Sequence, residues 1–518
     1  MLASFPPMPG LWRLRRASLL AVVLAGILAA TGATAQITAT KLAWDDMRRA
    51  AHLAGLEFVV EGIQQDGADL ILQMVTLRPR DAPAGVGLQL DRLRVETNEE
   101  GHTVLTPSET GRLVVAGFRG ALRELALEHE GTIGFGFEES ASGEIAIDIS
   151  PNLERFSIDD PGDAAARSAR RDWSAFTVGG RAMSGTLSIH TGDASAVGLE
   201  LRFEGMEYTA DQEVMGFLPT RQQTEGATEI VTISLQIERP DLLTQTPGLT
   251  FDEAFEQGFE AAMALELHNS RTAGQQEAPL FSLSMSGTSV SDTLMMTLRD
   301  GDFDLSMRGD ASALFADVMG MELDLTFDSY AFTMGAPLTR TAGADRAHLD
   351  MALLGITPSP ETLAQMDLEA MAGDTVDLEL AFSSGVQITG DLLDLERLLM
   401  DDTAPAPLML SDLALDRLRL RIGDASLQGE GQVSVPEGTP MDDDLPDLAE
   451  GAFEFELVGA EGLLTRLGEA GIIAADEMMA ARLFLGLLGR NMGDDLYRSE
   501  IEIAPGGRLT VNGMPLPF

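Results

Sequence analysis

The chain has 518 residues, of which 82 are acidic and 35 are basic, so its formal net charge at pH 7 is −47. Such a charge repels nucleic-acid phosphates and anionic lipid headgroups within the Debye length, which argues against a nucleic-acid partner. The chain has no cysteine, which excludes disulfides, thiolate catalysis and thiolate metal sites. An apolar core must therefore hold the fold, and the chain is long enough to form one.

The first 35 residues have the three parts of a cleavable secretory signal peptide. Three arginines at positions 13, 15 and 16 form the basic region, and the apolar run Leu19–Ala30 is short for a membrane span. The small residues of Ala33–Ala35 predict cleavage after Ala35. An uncleaved N-terminal anchor is the alternative. We expect export from the cytoplasm.

After cleavage, 32 basic residues stand against 82 acidic ones, a net charge of −50. The most apolar later segment, residues 471–489, is interrupted by Asp476, Glu477 and Arg482. Each of these charges is costly at the centre of a bilayer. We therefore expect no transmembrane segment in the mature protein, and solubility is a sufficient explanation of the acidity.

Most of the mature sequence alternates apolar and polar residues, which is typical of strands with one buried face. Short turns such as Asp66-Gly67 and Asp300-Gly301 separate the strands. The pattern predicts a mainly β (α+β) fold: a long meandering antiparallel sheet or sandwich-like array with a few peripheral amphipathic helices. The clearest alternating runs are residues 145–149, 231–237, 303–307, 321–327, 376–382 and 453–457.

A few segments have helical features instead. Thr250 and Glu253 have the spacing of a capping box, and Phe251, Phe255 and Phe259 follow at helical intervals. Ser359 and Pro360 are typical of an N-cap and first helical residue. The predicted helices are residues 38–53, a segment from 251 through 259, a helix from 360, residues 391–400, and two helices within 462–489 broken near Gly471.

This order of elements divides the mature chain into two regions. Residues 36–245 are expected to form an N-terminal helix followed by an antiparallel β region. Residues 246–518 are expected to form a second β region with helices. A helix precedes a strand series near residue 38 and again near residue 250, which is a weak indication of duplication.

The C-terminal third resembles DUF2125, a family of exported bacterial proteins of unassigned function. The resemblance is carried by residues 347–389, by residues 410–431 (LSDLALDRLRLRIGDASLQGEG) and by residues 451–515, which close with LTVNGMPLP. It implies a periplasmic protein of the cell envelope in a Gram-negative bacterium. It brings no assigned reaction and no site residues, so no catalytic, cofactor-binding or metal-binding residue is predicted from it.

Sequence motifs for catalysis or metal binding are not found. The six histidines, at positions 52, 102, 129, 190, 268 and 348, are far apart in sequence and form no zinc motif. There is no nucleophile elbow, phosphate-binding loop or dinucleotide fingerprint. Asp300, Asp302 and Asp304, and the run Asp442–Asp444, invite comparison with calcium loops, yet the required glycine and distal acid are out of register. Surface charge is the favoured interpretation of both.

These observations favour a non-catalytic exported protein that acts as a binding module or scaffold in the envelope, without a cofactor. A fully packed sandwich is the favoured interpretation of the sheet. If its apolar face is open instead, it would suit an acyl chain or another apolar ligand, which makes lipid or an envelope protein the candidate partner. A carboxylate-based hydrolase of glycans or esters is an alternative, as is a structural protein that assembles through sheet edges. An open apolar face would support the binding of an apolar ligand, and a sealed face would argue against it.

Overall fold

The structure is a computed structural model, and most of the mature chain is described in it. The described residues are 36–53, 56–80, 86–98, 102–116, 122–140, 144–160, 162, 173–191, 195–214, 220–240, 242, 250–278, 281–318, 320–340, 343–389, 408–440, 449–504 and 506–515. The predicted signal peptide, the predicted helix at 391–400 and the acidic run at 442–444 lie outside them. Among the described residues, no helix is both long and apolar enough to cross a bilayer.

The fold is mainly β, with a long antiparallel sheet and few helices, as the alternation predicts. The chain divides into two compact units. The first comprises residues 1–240 and 272–282, and the second comprises residues 241–271 and 283–518. Strands β12 and β13, whose bounds are given below, carry residues of both units.

The first unit begins with helix α1 (Gln36–Leu53). Its strands are β1 (Leu56–Asp66), β2 (Asp69–Pro79), β3 (Gly87–Thr97), β4 (Thr103–Pro107), β5 (Thr110–Ala116), β6 (Leu122–Glu139), β7 (Ile145–Asp160), β8 (Trp173–Gly180), β9 (Ala182–His190), β10 (Ala196–Val214) and β11 (Thr220–Glu238). Neighbours in sequence pair antiparallel, except that β4 and β5 share one position between β3 and β6. Strands β8 and β9 likewise share one position between β7 and β10.

One face of the first unit's sheet is removed from water. Ile145, Ile147 and Ile149 of β7 are all buried, while the alternating positions are polar or small, as predicted. Helix α1 packs on β1, β2 and β3. Its Trp44 ring lies 5.3 Å from that of Phe58, centroid to centroid. The first unit is therefore a conventional closed core of sheet and helix.

The second unit contains the short helix α2 (Phe251–Glu256) and α3 (Pro360–Gln365), then α4 (Ala460–Glu469) and α5 (Ala475–Leu488), with a 3₁₀ turn at Glu369–Met371. Its strands are β12 (Glu260–Ala278), β13 (Phe281–Arg299), β14 (Asp302–Val318), β15 (Met321–Pro337), β16 (Asp345–Pro358), β17 (Val376–Ile388), β18 (Leu408–Ile422), β19 (Ala425–Pro440), β20 (Glu450–Val458), β21 (Arg490–Gly493), β22 (Leu496–Ala504), β23 (Arg508–Val511) and β24 (Met514–Pro515). From β13 to β20 each strand pairs with the next, and β20 then pairs with β22.

The predicted helix and turn signals have mixed outcomes. The capping box of Thr250 is confirmed, and so is the capping hydroxyl of Ser359 before Pro360. The pair of helices on either side of Gly471 is also confirmed. The extension of the helix through Phe259 is wrong, because it ends at Glu256 and Gly258 adopts a φ of +84°. The chain then enters β12, although the rings of Phe255 and Phe259 still lie 5.8 Å apart.

The packing of α1 on the sheet makes a direct prediction. Met47 is only 1% exposed, so replacing it with alanine leaves a cavity and should lower the free energy of unfolding of the first unit by about 2–5 kcal/mol. Leu42, on the same helix, is 52% exposed, and its alanine variant should change stability by less than about 0.5 kcal/mol. Urea unfolding followed by tryptophan fluorescence measures both, and equal losses would contradict the packing described here.

Candidate functional site

The second unit has a continuous apolar face built from three rows of cross-strand neighbours. Opposed residues of antiparallel strands point to the same face, so the pairings define each row. Row 1 is Met296, Leu305, Met334, Leu349, Phe382, Leu415, Gly431, Phe453 and Ile501; row 2 is Leu294, Met307, Phe332, Met351, Leu380, Leu418, Gly429, Phe455 and Ser499; row 3 is Gly309, Tyr330, Leu353, Leu378, Leu420, Leu427, Leu457 and Tyr497. We call these three rows the apolar face.

The apolar face is open to solvent over most of its extent. Among its large side chains only Leu415 and Tyr497 are buried; the others keep partial exposure, up to 40% for Met307. By contrast, Ile145, Ile147 and Ile149 of β7 in the first unit are 2–6% exposed. The apolar side of the sheet is therefore buried at these positions of β7 in the first unit and partly exposed along the rows of the second.

The register of the apolar face depends on a bulge in β18. Phe382 pairs with Leu415, whereas its neighbour Ala381 pairs with Arg417, so Asp416 is an extra residue in β18. A bulge of this kind moves the next side chains to the other face. Without the bulge, Leu418 and Leu420 would point to the face opposite to that of Leu415. The bulge thus keeps the row aliphatic and leaves Asp416 exposed.

Aromatic rings lie over glycines within the apolar face. A β-carbon placed on Gly309 would collide with Tyr330, and one on Gly429 would collide with Phe455. The absence of a side chain lets each ring fold down onto the neighbouring strand instead of standing upright. The face is consequently low in relief, which suits a long flexible chain better than a bulky rigid ligand.

A part-buried polar contact at the β15 end of row 3 holds the Tyr330 hydroxyl. The Tyr330 hydroxyl passes over Gly309 and donates a hydrogen bond of 2.7 Å to Oδ1 of Asp292. Asp292 also accepts from Ser270 and Ser289. Burial, and then the contact with Asp292, raise the pKa of Tyr330 well above its ordinary value, so the phenol stays neutral at neutral pH.

The opposite face of the same sheet is charged. Arg419 contacts Glu379 at 3.0 Å and Arg417 contacts Glu379 at 3.5 Å, while Arg421 pairs with Asp377. Exposed pairs of this kind contribute little to stability. Their consequence is orientation, since the charged face belongs in water and the apolar face is the one available to a ligand.

Within the part of the chain that the structure describes, the histidines and acids considered from the sequence do not come together in one group. No group of three histidine, aspartate or glutamate side chains that could hold a metal ion occurs in the described ranges. Asp302 lies near Asp345, Asp304 and Asp300, and burial, then repulsion by these acids, raise its pKa. All four are exposed on the charged side of the sheet or its turn, so they do not converge in a cleft.

The first unit carries a shallow depression over β1, β2, β3 and β5. Glu61, Gln89, Asp91 and Arg112 line it together with Met74. Its polar lining gives an apolar ligand little surface to contact. We therefore place the candidate site on the apolar face of the second unit.

The protein-family models, the curated proteins and the solved structures compared with the chain give no match. The resemblance to DUF2125 therefore stays a prediction. The candidate site rests on the register and exposure of its own residues, which the alternating pattern located on strands without indicating which face would be left open.

One titratable group in the first unit predicts a pH dependence of stability. Both ring nitrogens of His129 are buried, and this burial lowers the pKa of the imidazole below its ordinary 6.5. The unfolded chain therefore takes up a proton more readily, so stability is present above pH 6.5 and falls as the pH drops through that value. In His129→Gln, the decrease in urea-unfolding free energy between pH 7.5 and pH 5.5 should be smaller than in the wild type. An unchanged difference would contradict this assignment.

Proposed function

We propose that the protein is an exported, non-catalytic binding protein of the cell envelope that holds an apolar chain, such as the acyl chain of a lipid, on the apolar face of its second unit. The observation that carries the proposal is the contiguity of the three rows. An exposed apolar surface of this extent on a monomeric protein marks an interaction site. The side chains named in its rows are neither acidic nor basic, and Asp292, which continues row 3 onto β13, lies at the edge of the rows, so the ligand portion that the rows contact is apolar.

The dimensions of the apolar face fit a lipid tail. Rows 1 and 2 cross nine strands, and strands lie about 4.8 Å apart, so a row is about 38 Å long measured along the sheet. One leaflet of a bilayer has a hydrocarbon thickness of about 15 Å. A row is therefore longer than an extended acyl chain, so the whole chain can lie on it.

The expected affinity is modest, because the face is open. Burying one methylene contributes about 0.8 kcal/mol, and a chain lying on a surface buries about half of itself. About 15 methylenes then give ~6 kcal/mol before the costs of ordering, which corresponds to a dissociation constant no tighter than tens of micromolar. Such a site would take up and release its ligand readily.

The predicted export would place the protein in a compartment where lipid is available. The predicted signal peptide and the resemblance to DUF2125 both favour the periplasm, a compartment bounded by membranes that supply lipid. The competing predictions are the carboxylate hydrolase and the protein that assembles through sheet edges. The first requires two convergent acids, and the second predicts an oligomer.

Two glutamate substitutions test the site: one on the apolar face, and a control on the charged face. Met307→Glu places a carboxylate in row 2, whereas Ser306→Glu places one on the adjacent residue of the same strand, pointing to the charged face. Binding of a fluorescent fatty acid should weaken about tenfold or more in Met307→Glu, because a carboxylate must be desolvated beneath the chain. It should be nearly unchanged in Ser306→Glu.

Native mass spectrometry of purified protein mixed with an excess of fatty acid provides the second readout. A bound fatty acid is expected with the wild type and Ser306→Glu and should be reduced with Met307→Glu. Circular dichroism shows whether each variant is folded. The proposal is overturned if folded wild-type protein does not bind the fatty acid, or if both variants bind as well as the wild type.

A further inference from the structure

Helix α5 presents an apolar side to solvent instead of to the protein. Met479, Leu483 and Phe484 are 70%, 73% and 61% exposed, and Leu487 and Leu488 are also exposed. None of the helix's residues is buried. Amphipathic helices of globular proteins show the opposite arrangement, with the apolar side inward. We call these five side chains, together with exposed Met492 in β21, the α5 patch.

This exposure does not arise from a loosely held helix. Arg482 of α5 contacts Glu461 of α4 at 2.7 Å, and the side-chain amide of Asn512 donates to the carbonyl of Leu488 at 2.8 Å. Helix α4 is itself capped, because the carboxylate of Asp495 accepts from the backbone N–H groups of Glu461 and Gly462. Both ends of the helical pair are thus fixed to the sheet, and the α5 patch is held facing outward.

The α5 patch has no acidic side chain of its own, although pairs of acids lie directly before and after it in sequence, at 476–477 and 494–495. Residues 478–493 contain no acidic residue and include Arg482 and Arg490, although acids are more than twice as numerous as basic residues overall. Arg490 is exposed at the end of the patch. Arg482 is paired with Glu461, so among the described residues Arg490 is the arginine at the margin that is not in an ion pair. A surface that is apolar at its centre, with such an arginine at its margin, is complementary to the interface of a phospholipid bilayer, where phosphates lie above hydrocarbon.

From these observations we propose that the α5 patch docks on the surface of a phospholipid bilayer, with α5 lying in the plane of the interface. A second copy of the chain is a poorer occupant. The exposed apolar area of the patch is on the order of 500 Å², whereas a stable protein interface buries about 800 Å² on each partner. A bilayer imposes no such minimum, and shallow insertion of a few apolar side chains gives reversible attachment.

The whole-chain charge specifies the kind of bilayer. A net charge of −47 repels a strongly anionic surface, whereas a zwitterionic surface leaves apolar insertion unopposed. Docking through the α5 patch does not depend on the apolar face of the sheet, since the two surfaces share no residue. The proposed site for an acyl chain and the proposed membrane contact can therefore fail separately.

Flotation with phosphatidylcholine vesicles tests the docking, using the full mature chain. Wild-type protein is expected to float with the vesicles. The double variant Leu483→Gln with Phe484→Gln should lose at least about tenfold in partitioning, because each side chain contributes more than about 1 kcal/mol of apolar transfer. The matched control is Leu42→Gln, an equally polar change at an exposed position of helix α1, which should float like the wild type.

A fluorescence readout locates the contact. In F484W the new indole should shift its emission to the blue and be quenched by brominated phosphatidylcholine, whereas a tryptophan replacing exposed Val290 of β13 should show neither effect. Both variants are exposed substitutions and should fold normally. Retained binding of the fluorescent fatty acid by the Leu483→Gln, Phe484→Gln protein would show that the sheet site is intact and that only docking has been lost.

The proposal is overturned if the wild-type protein does not float, or if the double variant floats as well as the wild type. It is also overturned if light scattering shows a wild-type dimer that is lost in the double variant and the protein does not bind vesicles. The last result would assign the α5 patch to a second copy of the chain.

Discussion

An antiparallel strand whose side chains alternate presents one apolar face, and that face is either covered or left as an exposed surface. The two units of this protein meet the constraint differently. In the first, α1 packs on one face of the sheet, with Met47 and Trp44 buried at the contact. In the second, the same alternation runs across nine strands and stays partly exposed. The proposed binding function follows from this difference.

The open face is compatible with a stable sheet because backbone hydrogen bonding does not require a covering layer. From β13 to β20 each long strand pairs with its neighbours along most of its length, so the peptide groups are satisfied within the sheet. Rings such as Tyr330 and Phe455 fold over glycines and shield the strands beneath them. The opposite face carries charged side chains that belong in water. Ligand binding would then remove apolar area that the fold leaves in water.

Much of the local structure could be predicted from the sequence, since it is determined by neighbouring residues. The alternation at 145–149 and 376–382 predicts strands, and Ser359-Pro360 and the Thr250–Glu253 pair predict helix starts that the structure contains. Helix α2 is shorter than predicted because Gly258 turns the chain before Phe259.

The candidate site could not be predicted from the sequence for a different reason. The rows depend on the register of nine strands and on the extra residue Asp416, and periodicity does not show which faces remain uncovered. The run of 471–489 showed apolar character, but only the structure shows that α5 turns it outward.

The central claim, that a chain-like apolar ligand lies on the open face of the second unit, is tested most directly by mapping where a photoactivatable fatty acid cross-links. Purified mature protein is irradiated with a diazirine-bearing fatty acid, and the labelled residues are identified by peptide mass spectrometry. The account predicts labels on row residues of β14 to β20, such as Met307, Phe332, Met351 and Phe455, that are competed away by unlabelled fatty acid. Labels confined to the first unit or to the charged face of the sheet, or labelling that competitor does not reduce, would contradict it.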